Sequence, residues 1–81
     1  MSQARDVVEV VARALVDEPE LVKVTETDHR GVAVIELFVA PGDLGRVIGR
    51  MGRTASALRT LVDVAAEYHD FDATLEIREP A

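Results

Sequence analysis

The side chains best suited to chemistry in this sequence are arginines that alternate with glycines in GRVIGRMGRT, residues 45–54. No acidic residue lies between Asp43 and Asp63, whereas four arginines fall in that window, so segment 44–62 has a formal charge of +4. The other five basic residues and all 15 acidic residues leave the rest of the chain at −10, in a protein of net charge −6. Clustered cations are the usual footprint of a phosphate-bearing ligand. The pattern therefore favours an anion-binding function at this stretch, against the acidic average.

Two phosphate-binding motifs that place glycine before a helix do not fit these residues. A Walker A loop ending at Thr54 needs glycine where Val47 stands and lysine where Arg53 stands. A dinucleotide fingerprint G-x-G-x-x-G ending at Gly52 needs glycine at the same valine, and no strand directly precedes it. The sequence thus gives no support to nucleotide hydrolysis or to hydride transfer.

No catalytic or metal-binding constellation accompanies the arginines. His29 and His69 have no partner at metal-ligand spacing, and the chain has no cysteine. Asp70 and Asp72 flank Phe71, which is typical of an acidic loop anchored by one aromatic ring. No nucleophile has an adjacent base. The sequence predicts a protein that is not an enzyme and that uses no metal, cofactor or small-molecule substrate.

Three predicted helices and three predicted strands position the arginine–glycine stretch. Apolar residues three and four apart predict helices, and alternation predicts strands. In chain order we expect a helix over 3–16, strands over 21–28 and 32–39, a very short helix capped by Asp43 and ended by Gly49, a helix over 53–68 and a strand over 73–79. The first two strands should form an antiparallel hairpin, and the second and third should be parallel neighbours. The expected fold is an α+β, α-β-β-α-α-β two-layer sandwich, with a three-stranded mixed sheet and all helices on one face.

The length and composition fit one small folded domain over residues 1–81, with its core at about 3–79. The N-terminal residues lack the uninterrupted apolar segment of an export signal. The longest apolar run, 32–40, is broken by Glu36 and is shorter than a membrane span. Together with the lack of cysteine, these features predict a soluble, cytoplasmic protein.

The segment VIGRMGR, followed by a helix containing ALRT and preceded by a short helix, resembles the G-x-x-G signature of KH domains. The order of elements resembles the type II arrangement, and the chain as a whole is similar to the small bacterial KH proteins of the KhpA type. The resemblance implies a single-stranded RNA-binding protein that acts as an RNA chaperone or post-transcriptional regulator. It also implies a homodimer, or a heterodimer with a larger KH-containing protein.

By the same resemblance, Gly49, Arg50, Met51 and Gly52 clamp the sugar-phosphate backbone of the RNA. The two glycines permit a tight turn and close approach, and the positive end of the following helix favours phosphate. The supporting cations are expected to be Arg46, Arg53 and Arg59. An apolar groove for the bases is expected from the second strand together with Leu44, Val47 and Ile48.

Three positions depart from the pattern of the family. Met51 stands where a polar or basic residue is usual, Thr54 where an apolar residue is common, and Ser56 where a basic residue is common. These departures and the −10 remainder leave an alternative open. In that alternative the chain is a protein-interaction or dimerisation module with a KH fold that no longer binds RNA.

Overall fold

A computed structural model describes residues 2–80 and shows three helices packed on a three-stranded sheet. The helices are α1 (Gln3–Leu15), α2 (Leu44–Ile48) and α3 (Arg53–Tyr68), and the strands are β1 (Lys23–His29), β2 (Val32–Phe38) and β3 (Asp72–Arg78). Three short 3-10 turns, Pro19–Leu21, Pro41–Asp43 and Arg50–Gly52, lie between them. The order α-β-β-α-α-β predicted from the sequence is confirmed, with element bounds that agree to within two residues.

The first helix begins at a side-chain cap and packs on the core through one face. Ser2 Oγ accepts a hydrogen bond of 3.1 Å from the backbone N–H of Arg5, which caps the N-terminus. The helix buries Ala4, Val8 and Ala12, which follow one another at intervals of four residues and so lie on one face. The face opposite the core remains in solvent.

Strand β2 is the centre of the sheet, in the order β1-β2-β3. Strand β1 pairs with it antiparallel, with Lys23 opposite Phe38. Strand β3 pairs with it parallel, with Ile35 opposite Leu75. Both pairings are those expected from the sequence. Because α3 runs between two parallel strands, its N-terminus lies at the end of the sheet where β2 and β3 finish.

One face of the sheet is covered by the helices and the other is open. Ile35 and Leu37 are completely buried beneath the helices, with Leu75 of β3 beside them. Along β2 the alternate residues Val34, Glu36 and Phe38 are only half-buried. The architecture is therefore a two-layer sandwich, as the resemblance to type II KH domains implied.

Asp43 differs from its predicted role as the N-cap of α2. Its side chain makes no capping hydrogen bond to that helix and is buried, with 2% of the residue exposed. Its two carboxylate oxygens instead accept hydrogen bonds of 3.0 Å each from the backbone N–H groups of Asp17 and Glu18. The reason is tertiary, since the chain after α1 places two free amides beside it.

Within residues 2–80, no helix has the length and apolar character needed to cross a bilayer.

Candidate nucleic-acid interface

The GRMG segment forms a tight turn between α2 and α3 that depends on left-handed backbone conformations. Gly49 has φ 77° and ψ 170°, Met51 has φ 57° and ψ 24°, and Gly52 has φ 74° and ψ 14°. The N–H of Gly49 closes α2 on the carbonyl of Gly45 at 2.8 Å, and the N–H of Gly52 bonds to the carbonyl of Gly49 at 3.1 Å. The chain therefore turns within four residues, and 49–52 are not absorbed into one continuous helix.

The two loop glycines are needed for different reasons. A Cβ at Gly49 would lie 2.3 Å from Thr54 Oγ1 and 2.9 Å from the backbone nitrogen of Thr54. The backbone conformation at Gly49 is also one that only glycine adopts readily. A Cβ at Gly52 would meet nothing within 4 Å, so only its positive φ favours glycine there. Thr54, one of the family departures, thus supports the loop by packing against Gly49.

The N-terminus of α3 opens onto this loop without a side-chain cap. Gly52 occupies the N-cap position, and the first turn contains no acidic residue. The first backbone N–H groups of a helix have no partner inside it, and they carry the positive end of its dipole. In a helix of 16 residues this makes a site suited to an anion such as phosphate.

Arg50, Arg53 and Arg59 add positive charge around that helix end. All three are exposed, and none has an ion pair or a side-chain hydrogen bond within residues 2–80. The paired arginines elsewhere in that range are Arg5, Arg13, Arg46 and Arg78. The cations at the loop are therefore available to an external anion.

Arg46 departs from its expected role as supporting charge at the loop. Its Nη2 lies 2.9 Å from Asp17 Oδ2, and its Nε lies 3.5 Å from Asp43 Oδ1. Both carboxylates belong to the region around the end of α1 and the start of α2. The positive charge of Arg46 is thus already balanced, although 53% of its side chain is exposed.

The apolar groove differs from the sequence-based expectation. Val47 is completely buried in the core, so it supports α2 from below and cannot touch a ligand. Ile48 and Leu44 are half-buried. The helix-facing side of β2 is covered, which excludes the second strand as a groove wall.

A shallow cleft of about 240 Å³ lies instead between α3 and β3. It is lined by Arg59, Val62, Asp63, Ala73, Thr74 and Leu75. Of the predicted site residues, the loop 49–52 and Arg53 lie together at the junction of α2 and α3, and among them only Arg59 lines this cleft.

Gly45, which lies outside the G-x-x-G motif, is a further candidate residue for contact with a ligand. It is exposed in α2, and a Cβ there would meet nothing within 4 Å. Glycine inside a helix costs about 1 kcal/mol relative to alanine. Because neither steric crowding nor backbone strain requires glycine here, bare backbone one turn before Gly49 is suited to the close approach of a ligand. In the sequence, this position is marked by two glycines four residues apart in GRVIG, Gly45 and Gly49.

Known proteins share both the sequence and the fold of this chain. The model of the KhpA/KhpB KH domain matches residues 5–77. RNA-binding protein KhpA of Aquifex aeolicus is 44% identical over 79 residues, which cover 98% of this chain and 100% of that protein. RNA-binding protein KhpA of Mycobacterium bovis is 53% identical over 57 residues, covering 70% of this chain and 71% of that protein.

A solved structure shares the fold at much lower identity. The crystal structure of Aquifex aeolicus Era bound to GDP.AlF4- superposes with a TM-score of 0.64 and 17% identity. The matched region covers 94% of this chain but 29% of that chain, so the likeness concerns the fold of one part of Era. The family match over residues 5–77 and the identity to the KhpA proteins show that the chain belongs to the KhpA/KhpB KH-domain family.

Proposed function

We propose that the protein binds single-stranded RNA, with the GRMG loop as the clamp on the sugar-phosphate backbone. The observation that carries the proposal is the loop itself. It places the open backbone of Gly52 at an uncapped helix N-terminus, beside the exposed Arg50 and Arg53. The relatives named RNA-binding protein KhpA support the same ligand class.

In this proposal one phosphate group lies at the start of α3, and Arg50 and Arg53 hold its neighbours. The bases pass along the half-buried Ile48 and the exposed side of α3 that carries Arg59. KH domains hold about four nucleotides in this way. Few base contacts imply little sequence preference and affinity in the micromolar range, near −8 kcal/mol. No covalent chemistry is involved, so the proposed function is non-enzymatic.

The decisive experiment reverses the charge of the clamp in a folded protein. The variant Arg50→Asp with Met51→Asp changes the formal charge by −3, and both positions are exposed, so the fold should be retained. The matched control is His29→Asp with Arg30→Asp, which changes the charge equally at the β1–β2 turn, the opposite end of β2. Binding to mixed short RNAs is measured by fluorescence anisotropy at low and at moderate salt.

We expect the loop variant to lose at least about tenfold in affinity and the control to lose much less, since the control tests only the net charge. Equal losses of RNA affinity in the two variants would mean that binding depends on the net charge of the protein and not on a clamp at the loop. Absence of RNA binding by the unmodified protein would favour the alternative, a KH fold that serves protein interaction alone.

A weak, sequence-tolerant clamp suits an RNA chaperone or post-transcriptional regulator acting in the cytoplasm, and we propose this role. Such a protein can hold single strands briefly without trapping them. The test is the rate at which two complementary RNAs with internal hairpins anneal. The protein should raise that rate, and the loop variant should not.

We also propose that the protein forms dimers through its helical apolar stripe, defined as the exposed apolar residues of the adjacent helices α1 and α3. Its most exposed members are Val10 at 69%, Leu61 at 45%, Val64 at 58% and Tyr68 at 85%. Val7 and Val11 of α1 and Ala65 of α3 are half-buried. Monomeric proteins rarely expose a continuous apolar surface of this kind.

The charges on α1 favour a second copy of the chain as the occupant. Asp6 lies in the first turn of α1 and Arg13 in its last turn, two helical turns apart. A two-fold axis near Val10 would place Asp6 of one copy beside Arg13 of the other. Two clamps joined in this way raise the avidity for one RNA.

The oligomeric state tests this proposal. Val64→Asp should shift the protein to monomer in sedimentation velocity, whereas Leu21→Asp, an exposed leucine outside the stripe, should not. A wild-type protein that is monomeric across the concentration series would contradict self-association. Association only after addition of a larger KH-containing protein would identify a heterodimer instead.

A further inference from the structure

The start of α2 is attached to the rest of the fold by one buried carboxylate. Helix α2 has five residues and buries only Val47. A helix this short is not stable alone, so contacts from outside must set its direction. The GRMG loop follows directly from α2, and any change in the direction of this helix moves the loop.

Asp43 supplies such a contact across a long stretch of sequence. Its Oδ1 accepts the N–H of Asp17 and its Oδ2 accepts the N–H of Glu18, each at 3.0 Å, over separations of 26 and 25 residues. Hydrogen bonds to a carboxylate are about twice as strong as neutral ones. Two such bonds on the two oxygens of one group fix its position and its rotation.

Arg46 closes the connection on its outer side. Its guanidinium bridges the carboxylates of Asp43 and Asp17, so Asp17 meets the start of α2 through both its backbone and its side chain. Asp43 is the only buried charged residue within 2–80. A buried charge is costly to retain unless it is well partnered, and it often specifies one arrangement among several.

Resting on the RNA-binding function proposed above, we propose that Asp43 is the positioning residue of the clamp. It holds the first turn of α2 on the segment that follows α1, and it thereby fixes the angle at which the GRMG loop meets the N-terminus of α3. Asp43 does not touch the RNA. Its effect on binding passes through the fraction of molecules in which the loop is correctly placed.

The test compares two variants that both lose stability. Asp43→Asn keeps the shape of the side chain but replaces one acceptor oxygen by an NH2 group, which cannot accept a backbone N–H. Val8→Ala removes two buried methyl groups from α1 and serves as the control for lost stability. RNA affinity is measured at a temperature where circular dichroism shows both variants folded.

We expect Asp43→Asn to weaken RNA binding about fivefold, which corresponds to a competent fraction of about one fifth, and Val8→Ala to stay within about twofold. In amide hydrogen exchange, the N–H of Gly49 should lose protection in Asp43→Asn and keep it in Val8→Ala. Equal loss of affinity in both variants, or wild-type affinity in a folded Asp43→Asn protein, would overturn the positioning role.

Hydrogen exchange of the wild-type protein provides a test that needs no variant and no RNA. The amides of Asp17 and Glu18 should be protected and should open with the same free energy as the amide of Gly49. Rapid exchange at Asp17 and Glu18 would exclude the connection itself. If the connection is present but the wild-type protein binds no RNA, the proposed function fails and the structural role of Asp43 remains.

Discussion

At the scale of single residues, the loop has one position that tolerates only glycine, Gly49, and one where a residue with a side chain, Met51, adopts a left-handed backbone conformation. Gly49 has both a glycine-only backbone conformation and Thr54 against its α-carbon. Met51 adopts φ 57° with 85% of the residue exposed, at a cost of about 1 kcal/mol for the left-handed conformation. Nothing in the fold explains the choice of methionine at that tip.

The glycines should therefore differ in their response to alanine. We expect Gly49→Ala to lower the free energy of unfolding by about 2 kcal/mol or more, because it adds a clash to an unfavourable conformation. Gly52→Ala should cost about 1 kcal/mol, from its positive φ alone. Gly45→Ala should raise stability by up to about 1 kcal/mol, since it removes a glycine from a helix. Urea denaturation checks all three, and similar losses at Gly49 and Gly52 would contradict the role of Thr54.

At the scale of elements, α2 and α3 divide the arginines between two tasks. Those of α3 and the loop, Arg50, Arg53 and Arg59, have no partner within residues 2–80. The arginine of α2, Arg46, balances Asp17 and Asp43 beside the end of α1. Arg46 differs from the other three because it lies on the side of α2 that faces the segment after α1.

Neutral substitutions should separate these tasks. Arg50→Gln and Arg53→Gln should each weaken RNA binding by about three- to tenfold, since each removes a charge-assisted contact to phosphate. Arg46→Gln should change the affinity less than about twofold and should lower stability by no more than about 1 kcal/mol, as expected for a solvent-exposed pair. Anisotropy titrations and thermal unfolding measure the two effects. A loss of RNA affinity in Arg46→Gln as large as in Arg50→Gln would show that Arg46 leaves its carboxylates to bind RNA.

At the scale of the whole molecule, both ends of the sheet carry charged residues. The loop cations lie at the end where β2 and β3 finish. The acidic residues at the other end, where β3 begins and the β1–β2 turn lies, are Asp28, Glu67, Asp70 and Asp72. The acid-free segment 44–62 is thus a local source of positive potential in a protein of net charge −6.

The dependence of RNA affinity on salt concentration should report how many arginines contact phosphate groups. With about 0.7 per phosphate contact on a single strand, three arginines predict a slope of log K against log salt of about −2. Participation of Arg46 would bring it to about −3. The measurement is anisotropy with one short RNA over a series of KCl concentrations. A slope near zero would be incompatible with phosphate binding by the loop.

The sequence by itself determined the elements, the parallel pairing of β2 and β3, and the position of the glycine turn. The elements and the turn depend on residues close together in the chain, through helical spacing, strand alternation and the backbone freedom of Gly49 and Gly52, and the parallel pairing follows from the order of the elements. They can be recognised without knowing which residues meet in the fold. The family resemblance added the ligand class to be tested.

Only the tertiary structure decided which of the candidate residues face outward. It placed Val47 in the core, covered the helix-facing side of the second strand, paired Arg46 with Asp17, and turned Asp43 from a helix cap into a contact with amides 25 and 26 residues away. Burial and ion pairing depend on which distant segments meet, and local periodicity carries no record of that. The glycine turn could be predicted from ten consecutive residues, whereas the contacts that hold α2 beside it could not.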